Sequence, residues 1–144
     1  MEQISTIEFN ISLTPDKLHQ FNLKTYLRSM YRQQIYDGVV VREICKIISH
    51  NFGNVLNNGQ VELHTKATCI IDNPIINQIC TLPVTNSNKL GAFCNLDKIT
   101  VFIPKSFCIN QEIPAITELI DVLIIGKRVE NKISCIGSCI TQVI

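Results

Sequence analysis

Residues 75–144 constrain this chain more than any other part of it. They hold five short runs rich in Val, Ile, Leu and Phe, at 75–84, 89–95, 98–104, 119–128 and 132–143, separated by turn-forming residues. Runs of this length read as strands, and strands this short bury an apolar face only when their sheet curls or packs on a second layer. Between the third and fourth lies "KSFCINQEIPAI", irregular or a single helical turn. Five short strands with a non-strand insert after the third is the order of an OB-type barrel, and "DVLIIGKRVENKISCIGSCI" reads as its closing hairpin, turning at Glu130-Asn131.

The preceding residues read differently. "ISTIEFNISLT" (4–14) alternates, with Ile7, Phe9, Ile11 and Leu13 on one strand face. Thr14 and Pro15 then open an amphipathic helix of about twenty residues, through 35, with Asn22 a potential break and Asp37-Gly38 as its stop. "VVVREICKIIS" (39–49) is β-branched, "HNFGNVLNNGQ" (50–60) is turn-rich, and "VELHTKATCIID" (61–72) alternates again. The expected class is therefore α+β: a β–α–β–β domain over residues 1–74, then a five-stranded barrel over 75–144.

Charge narrows the partners. The net charge is +1, and on either side of Pro74 the cations and anions nearly cancel, so neither part is a strongly basic module for tight nucleic-acid binding. "MEQISTIEFN" has neither the basic start nor the apolar run of a secretory leader, so none is expected, and no run approaches the roughly 18 apolar residues of a membrane helix. The seven cysteines include no C-x-x-C pair, which fits reduced thiols in a cytosolic or nuclear setting. Cys135 and Cys139 lie four apart in an expected strand, about 13 Å between Cα atoms, too far for one disulfide or one zinc. His19, His50 and His64 show no paired metal spacing, and the carboxylates form no acid cluster. The reading is a non-catalytic chain with no cofactor.

The most informative stretch is "NKLGAFCNLDKITVFIPKS" (88–106). On a strand, Leu90, Ala92 and Cys94 point inward, while Gly91, Phe93 and Asn95 point outward. Gly91 then relieves crowding at a bend and leaves its outer face open, and Phe93 beside it becomes an aromatic platform for bases.

"LGAFCNLDKITVFIPKSF" resembles the second and third strands of RNA-binding OB domains of the ribosomal-protein type. Taken in order, "IEFNISLTPDKLHQFNLKTYLRSMY", "GVVVREICKII", "FGNVLNNGQVELHTKATCIIDNP" and the barrel resemble the larger stalk subunit of multisubunit DNA-directed RNA polymerases, across essentially the whole chain. That family comprises the seventh subunit of eukaryotic polymerase II and the archaeal E subunit. The resemblance implies a truncated ribonucleoprotein-like N-terminal domain whose tip loop enters the polymerase core, and an OB domain beside the RNA exit path. It also implies large and small core subunits, a small helical stalk partner and nascent single-stranded RNA as partners, with no membrane. The location it implies is the nucleus, or the cytoplasm and virion if a large DNA virus encodes the chain, a source that the abundance of isoleucine and asparagine would suit. The chain departs from the family pattern in trimmed barrel loops, in Thr100 and Ile103 where relatives carry glycine and histidine, and in Asn77-Gln78 at the barrel start.

Mapped by position, the core-contacting tip is Phe52, Gly53, Asn54, Val55 and Leu56. The alternative is that Phe52 and Leu56 fold back on their own sheet. The RNA face comprises Lys89, Phe93, Lys105, Lys127, Arg128 and Lys132, against the alternative of solvated hairpin lysines and a core phenylalanine. Lys24, Arg28 and Arg32 recur at helical spacing as a basic stripe, either a solvated face or a contact for an acidic surface. Two other functions stay open: a free-standing OB-fold RNA-binding protein of translation or RNA turnover, and a structural interaction module.

Overall fold

The computed structural model describes residues 1–14 and 22–143, the last three by their backbone. Strands make up most of the described chain, with one short α-helix, and the chain divides into two compact units, 2–36 with 40–72 and 73–144 with Met1 and 37–39.

The first unit holds β1 (Glu2–Leu13), α1 (Leu23–Tyr31), β2 (Gln34–Tyr36), β3 (Val39–Val55) and β4 (Val61–Asp72), in the sheet order β1-β4-β3-β2. β1 and β4 pair antiparallel without a break from Glu2↔Asp72 to Leu13↔Val61. Period-two alternation therefore puts Ile7, Phe9, Ile11 and Leu13 on the same buried face as Leu63, Ala67, Cys69 and Ile71. Phe9 packs against Tyr31 of α1 and Tyr36 of β2, with ring centroids 4.7 and 5.0 Å away. Leu27 completes the helix's buried face.

The helix is shorter than the sequence suggests. Residues 15–21, with Pro15 and the first turns of the expected helix, lie outside the described residues. The described helix starts after Asn22, whose side-chain oxygen accepts from the Thr25 N–H at 3.1 Å. It ends at Tyr31 because Gln33, at φ 62°, turns its N–H onto the Val41 carbonyl of β3 (2.6 Å), so sheet pairing takes over. Asp37 and Gly38, both at positive φ, are not a helix stop but the two-residue turn between β2 and β3. At Arg28 and Arg32 the basic stripe is a solvated face, and it is also paired, since both guanidinium groups reach the Glu43 carboxylate on β3, at 2.7 and 3.3 Å.

β3 is the larger departure. It runs to Val55 rather than ending near 49, and its register against β4 shifts four times, at 41/43, 44/46, 47/49 and 52/55. Each bulge adds an unpaired residue and resets the alternation, which is how the longer strand matches a shorter one. The expected 50–60 loop shrinks to 56–60, closed by Leu56 N–H to the Gln60 carbonyl (2.7 Å) and by Gly59 at φ 83°.

The second unit contains β5 (Ile79–Pro83), β6 (Asn86–Asn88), β7 (Gly91–Leu96), β8 (Ile99–Pro104), β9 (Leu119–Val129) and β10 (Ile133–Val143), in the order β5-β9-β10-β8-β7-β6. β8 and β10 are parallel and the other pairs antiparallel. The expected first strand, 75–84, is cut to 79–83 because residues 75–78 turn, with Asn77 at φ 72°. β5 and β6 end opposite sides of the sheet, yet only Val84 and Thr85 separate them. The Val84 N–H bonds the Glu118 carbonyl beside β9, and the Thr85 N–H bonds the Phe93 carbonyl of β7, each at 2.9 Å. The sheet thus curls until its two ends meet in one bent strand. Inward residues from every long strand fill the interior, among them Val101, Ile103, Ile120, Val122, Ile124 and Ile133, all fully buried. Burying each such side chain is worth about 1.5–3 kcal/mol. "KSFCINQEIPAI" forms two single 3₁₀ turns, at 105–107 and 109–111.

Candidate nucleic-acid interface

The outer face of the curled sheet is organised in transverse rows. Register pairs Phe93 with Phe102, Phe102 with Ile136 and Ile136 with Gly126, while Phe93 faces Asn86 on its other side. These residues form one row across five strands. The adjacent row is polar, running Asn95, Thr100, Ser134 and Arg128. At about 4.8 Å per strand, the row from Phe93 to Gly126 is about 14 Å long. Phe93 and Phe102 stack at 4.8 Å with their planes 28° apart, and both remain half-buried on the outer surface.

Gly91 has a different role from the expected one. It is buried, and a Cβ there would lie 2.1 Å from the Ile103 carbonyl oxygen, so it permits close approach of β7 to β8 rather than opening an outer face. Leu90 is not a core residue, because it sits in the β6–β7 turn and is 70% exposed.

The six residues of the expected RNA face are not one cluster. Phe93 and Arg128 lie in the two adjoining rows, and Arg128 pairs with the neighbouring Glu130 at 2.5 Å. Lys89 and Lys105 are exposed at one end of β7 and β8, where the Lys105 N–H meets the Leu90 carbonyl at 2.8 Å. Lys132 is exposed at the other end, next to Lys98, whose carbonyl accepts from Ile133 at 2.9 Å. The length of β8 puts these ends about 17 Å apart. Lys127 borders the face, but its Nζ is committed elsewhere: it donates to the Gly38 carbonyl (3.2 Å) and Asn73 Oδ1 (3.0 Å), a structural tie within its unit.

Phe102, Gly126 and Ile136 belong to the face although sequence patterning did not mark them. "ITVFIP" is apolar at nearly every position, so no alternation marks Phe102 as its outward member. In β9, the register shift opposite Ile136/Gly137 disrupts the period-two count that would have placed Gly126.

The expected polymerase contact lies at the far end of the β3–β4 hairpin. Phe52 is 63% and Val55 70% exposed, so Phe52 does not fold back on its sheet, while Leu56 is partly covered. Gly53 and Asn54 fall at the last register shift, and Gly53 lies against the His64 ring, where a Cβ would be 2.7 Å from Nε2. The outward side of this sheet is polar, with His64 Nδ1 2.5 Å from Asn10 Oδ1 and Lys66 3.4 Å from Glu8.

All seven cysteines are reduced thiols, and six are buried. Burial pushes the thiols of Cys69 and Cys94 up to about 11. Among the described residues, no three His, Cys, Asp or Glu side chains come together as metal ligands, and no helix is long and apolar enough to cross a membrane. Compared with models of protein families and with curated proteins, the chain matches none.

Proposed function

We propose that this protein is a non-catalytic stalk subunit of a multisubunit DNA-directed RNA polymerase, in which residues 75–144 form an OB-type barrel that contacts nascent RNA and the β3–β4 hairpin end docks on the core. The observation that carries the reading is the strand arrangement of the second unit. If β5 and β6 are taken as one bent strand, the order first-fourth-fifth-third-second with third and fifth parallel is that of an OB barrel. OB barrels bind oligonucleotides on the face of the second and third strands, which here carry Phe93 and Phe102. The first unit, read as the truncated ribonucleoprotein-like domain, supplies the apolar hairpin end. Phe52 and Val55 at the exposed end of β3 favour a partner that covers them, because apolar groups in water gain by burial.

The RNA contribution is weak by itself. Its cations are few and divided between two ends of the face, so affinity is modest and falls with salt. Attachment to the polymerase raises the local concentration of transcript, so that a weak contact still acts. Purification of a tagged copy in mild salt tests the reading: large and small core subunits should accompany the wild type. Phe52→Asp with Val55→Asp should lose them while the circular dichroism melt stays unchanged. Recovery with ribosomes instead would favour the free-standing RNA-binding protein, and retention of the core subunits by the double variant would remove the hairpin from the interface.

A further inference from the structure

Beside the Phe93–Phe102 pair, the outer face is concave. Phe102, Gly126, Arg128, Ser134 and Ile136, with Lys127 and Cys135 between them, line an open recess of about 320 Å³. The recess exists because residue 126 has no side chain: a Cβ built there would meet only the Ile136 Cβ, at 3.9 Å, so nothing else fills the space. Its walls are of two kinds. The Phe102 ring and the half-exposed Ile136 offer apolar contact, and the adjoining polar row brings the Ser134 hydroxyl and the Arg128 guanidinium to one rim. Arg128, Lys98 and Lys132 outnumber Asp97 and Glu130 at that end of the sheet.

A planar group with an apolar face, a hydrogen-bonding edge and an anionic backbone meets all of these features together. We infer that the Gly126 recess seats one unpaired base of single-stranded RNA, as the continuation of the Phe93–Phe102 platform. This rests on the RNA-contact reading and adds a discrete subsite to it. The base lies against Phe102 and Ile136, its edge meets Ser134, and Arg128 exchanges its exposed partner Glu130 for the adjoining phosphate. An exposed ion pair is worth little, so that exchange opposes binding only slightly.

The test is fluorescence anisotropy of the full chain with a labelled ten-nucleotide RNA at low salt. Gly126→Val fills the recess with a strand-compatible side chain and should weaken binding about thirtyfold, the middle of the range for one stacked base. Gly126→Ala, the milder filling, should give a smaller loss and serves if the valine variant does not fold. RNA bearing one abasic position should bind the wild type more weakly but should cost Gly126→Val little further, since the site is already lost. If both glycine variants bind like the wild type while Phe102→Ala weakens binding, the recess is overturned and the aromatic platform stands. If the wild type binds no RNA, or the recess takes an acidic aromatic peptide in place of RNA, the RNA reading falls and the subsite with it.

Discussion

Gly91 and Gly126 lie in strands of the same curled sheet and meet opposite demands. At Gly91 the obstacle is backbone, the Ile103 carbonyl 2.1 Å from a would-be Cβ, and that strand cannot retreat without breaking its ladder. Gly91→Ala is expected to cost about 1–3 kcal/mol, read as a lower urea midpoint. At Gly126 a methyl group meets nothing closer than 3.9 Å, so Gly126→Ala should be neutral or stabilise by about 0.4–1 kcal/mol through the unfolded chain. Sequence alone singles out Gly91, for an open outer face it does not have, and leaves Gly126 unmarked. The thiols divide in the same way. Cys45 is exposed on β3, whereas burial keeps Cys69 and Cys94 protonated at neutral pH. A native chain mixed with a thiol reagent should show one fast-reacting cysteine, absent in Cys45→Ser.

At the scale of the element, α1 is too short to persist without its neighbours, since isolated helices of this length are marginal in water. The aromatic group of Phe9, Tyr31 and Tyr36 holds one end, and Glu43 holds its outer side through Arg28 and Arg32. The Arg28 hydrogen bond lowers the Glu43 pKa below its usual 4.5, partial burial opposing. A lowered folded value means that the carboxylate's contribution is present above 4.5 and is lost as the pH falls through the folded value. Glu43→Gln should therefore lower the melting temperature at pH 7, and the gap from the wild type should close in acid. The neighbouring β3 owes its length to bulges, a device with no residue signature in "VVVREICKIISHNFGNV". Its Asn and Gly residues read as turn, yet β4 pairs with the chain through Val55.

Across the whole molecule, each unit carries one surface of interest, the hairpin end on the first and the aromatic row on the second. The lysines show how far their roles separate. Lys127→Met removes the hydrogen bonds to Gly38 and Asn73, so it should lower the stability of its unit and leave RNA affinity unchanged in a titration. Lys89→Ala with Lys105→Ala should do the reverse. Stability is kept, and the slope of log affinity against log salt flattens by about 1.4, as expected for two phosphate contacts to a single strand. If Lys127→Met instead lowered RNA affinity at constant stability, the row would have to extend to Lys127.

The sequence by itself determined the strand-rich character, the buried faces of β1 and β4 and the approximate positions of the strands after Pro74 other than β6. Those follow from period-two alternation and turn chemistry, which are local. It also marked Phe93, because a phenylalanine beside small residues is conspicuous. Only the tertiary structure decided that Phe93 has Phe102 as its neighbour, that Gly126 leaves a recess and that Lys127 is tied to its own unit. Cross-strand register and bulges create these relations between residues distant in the chain, and neither can be read from one strand at a time.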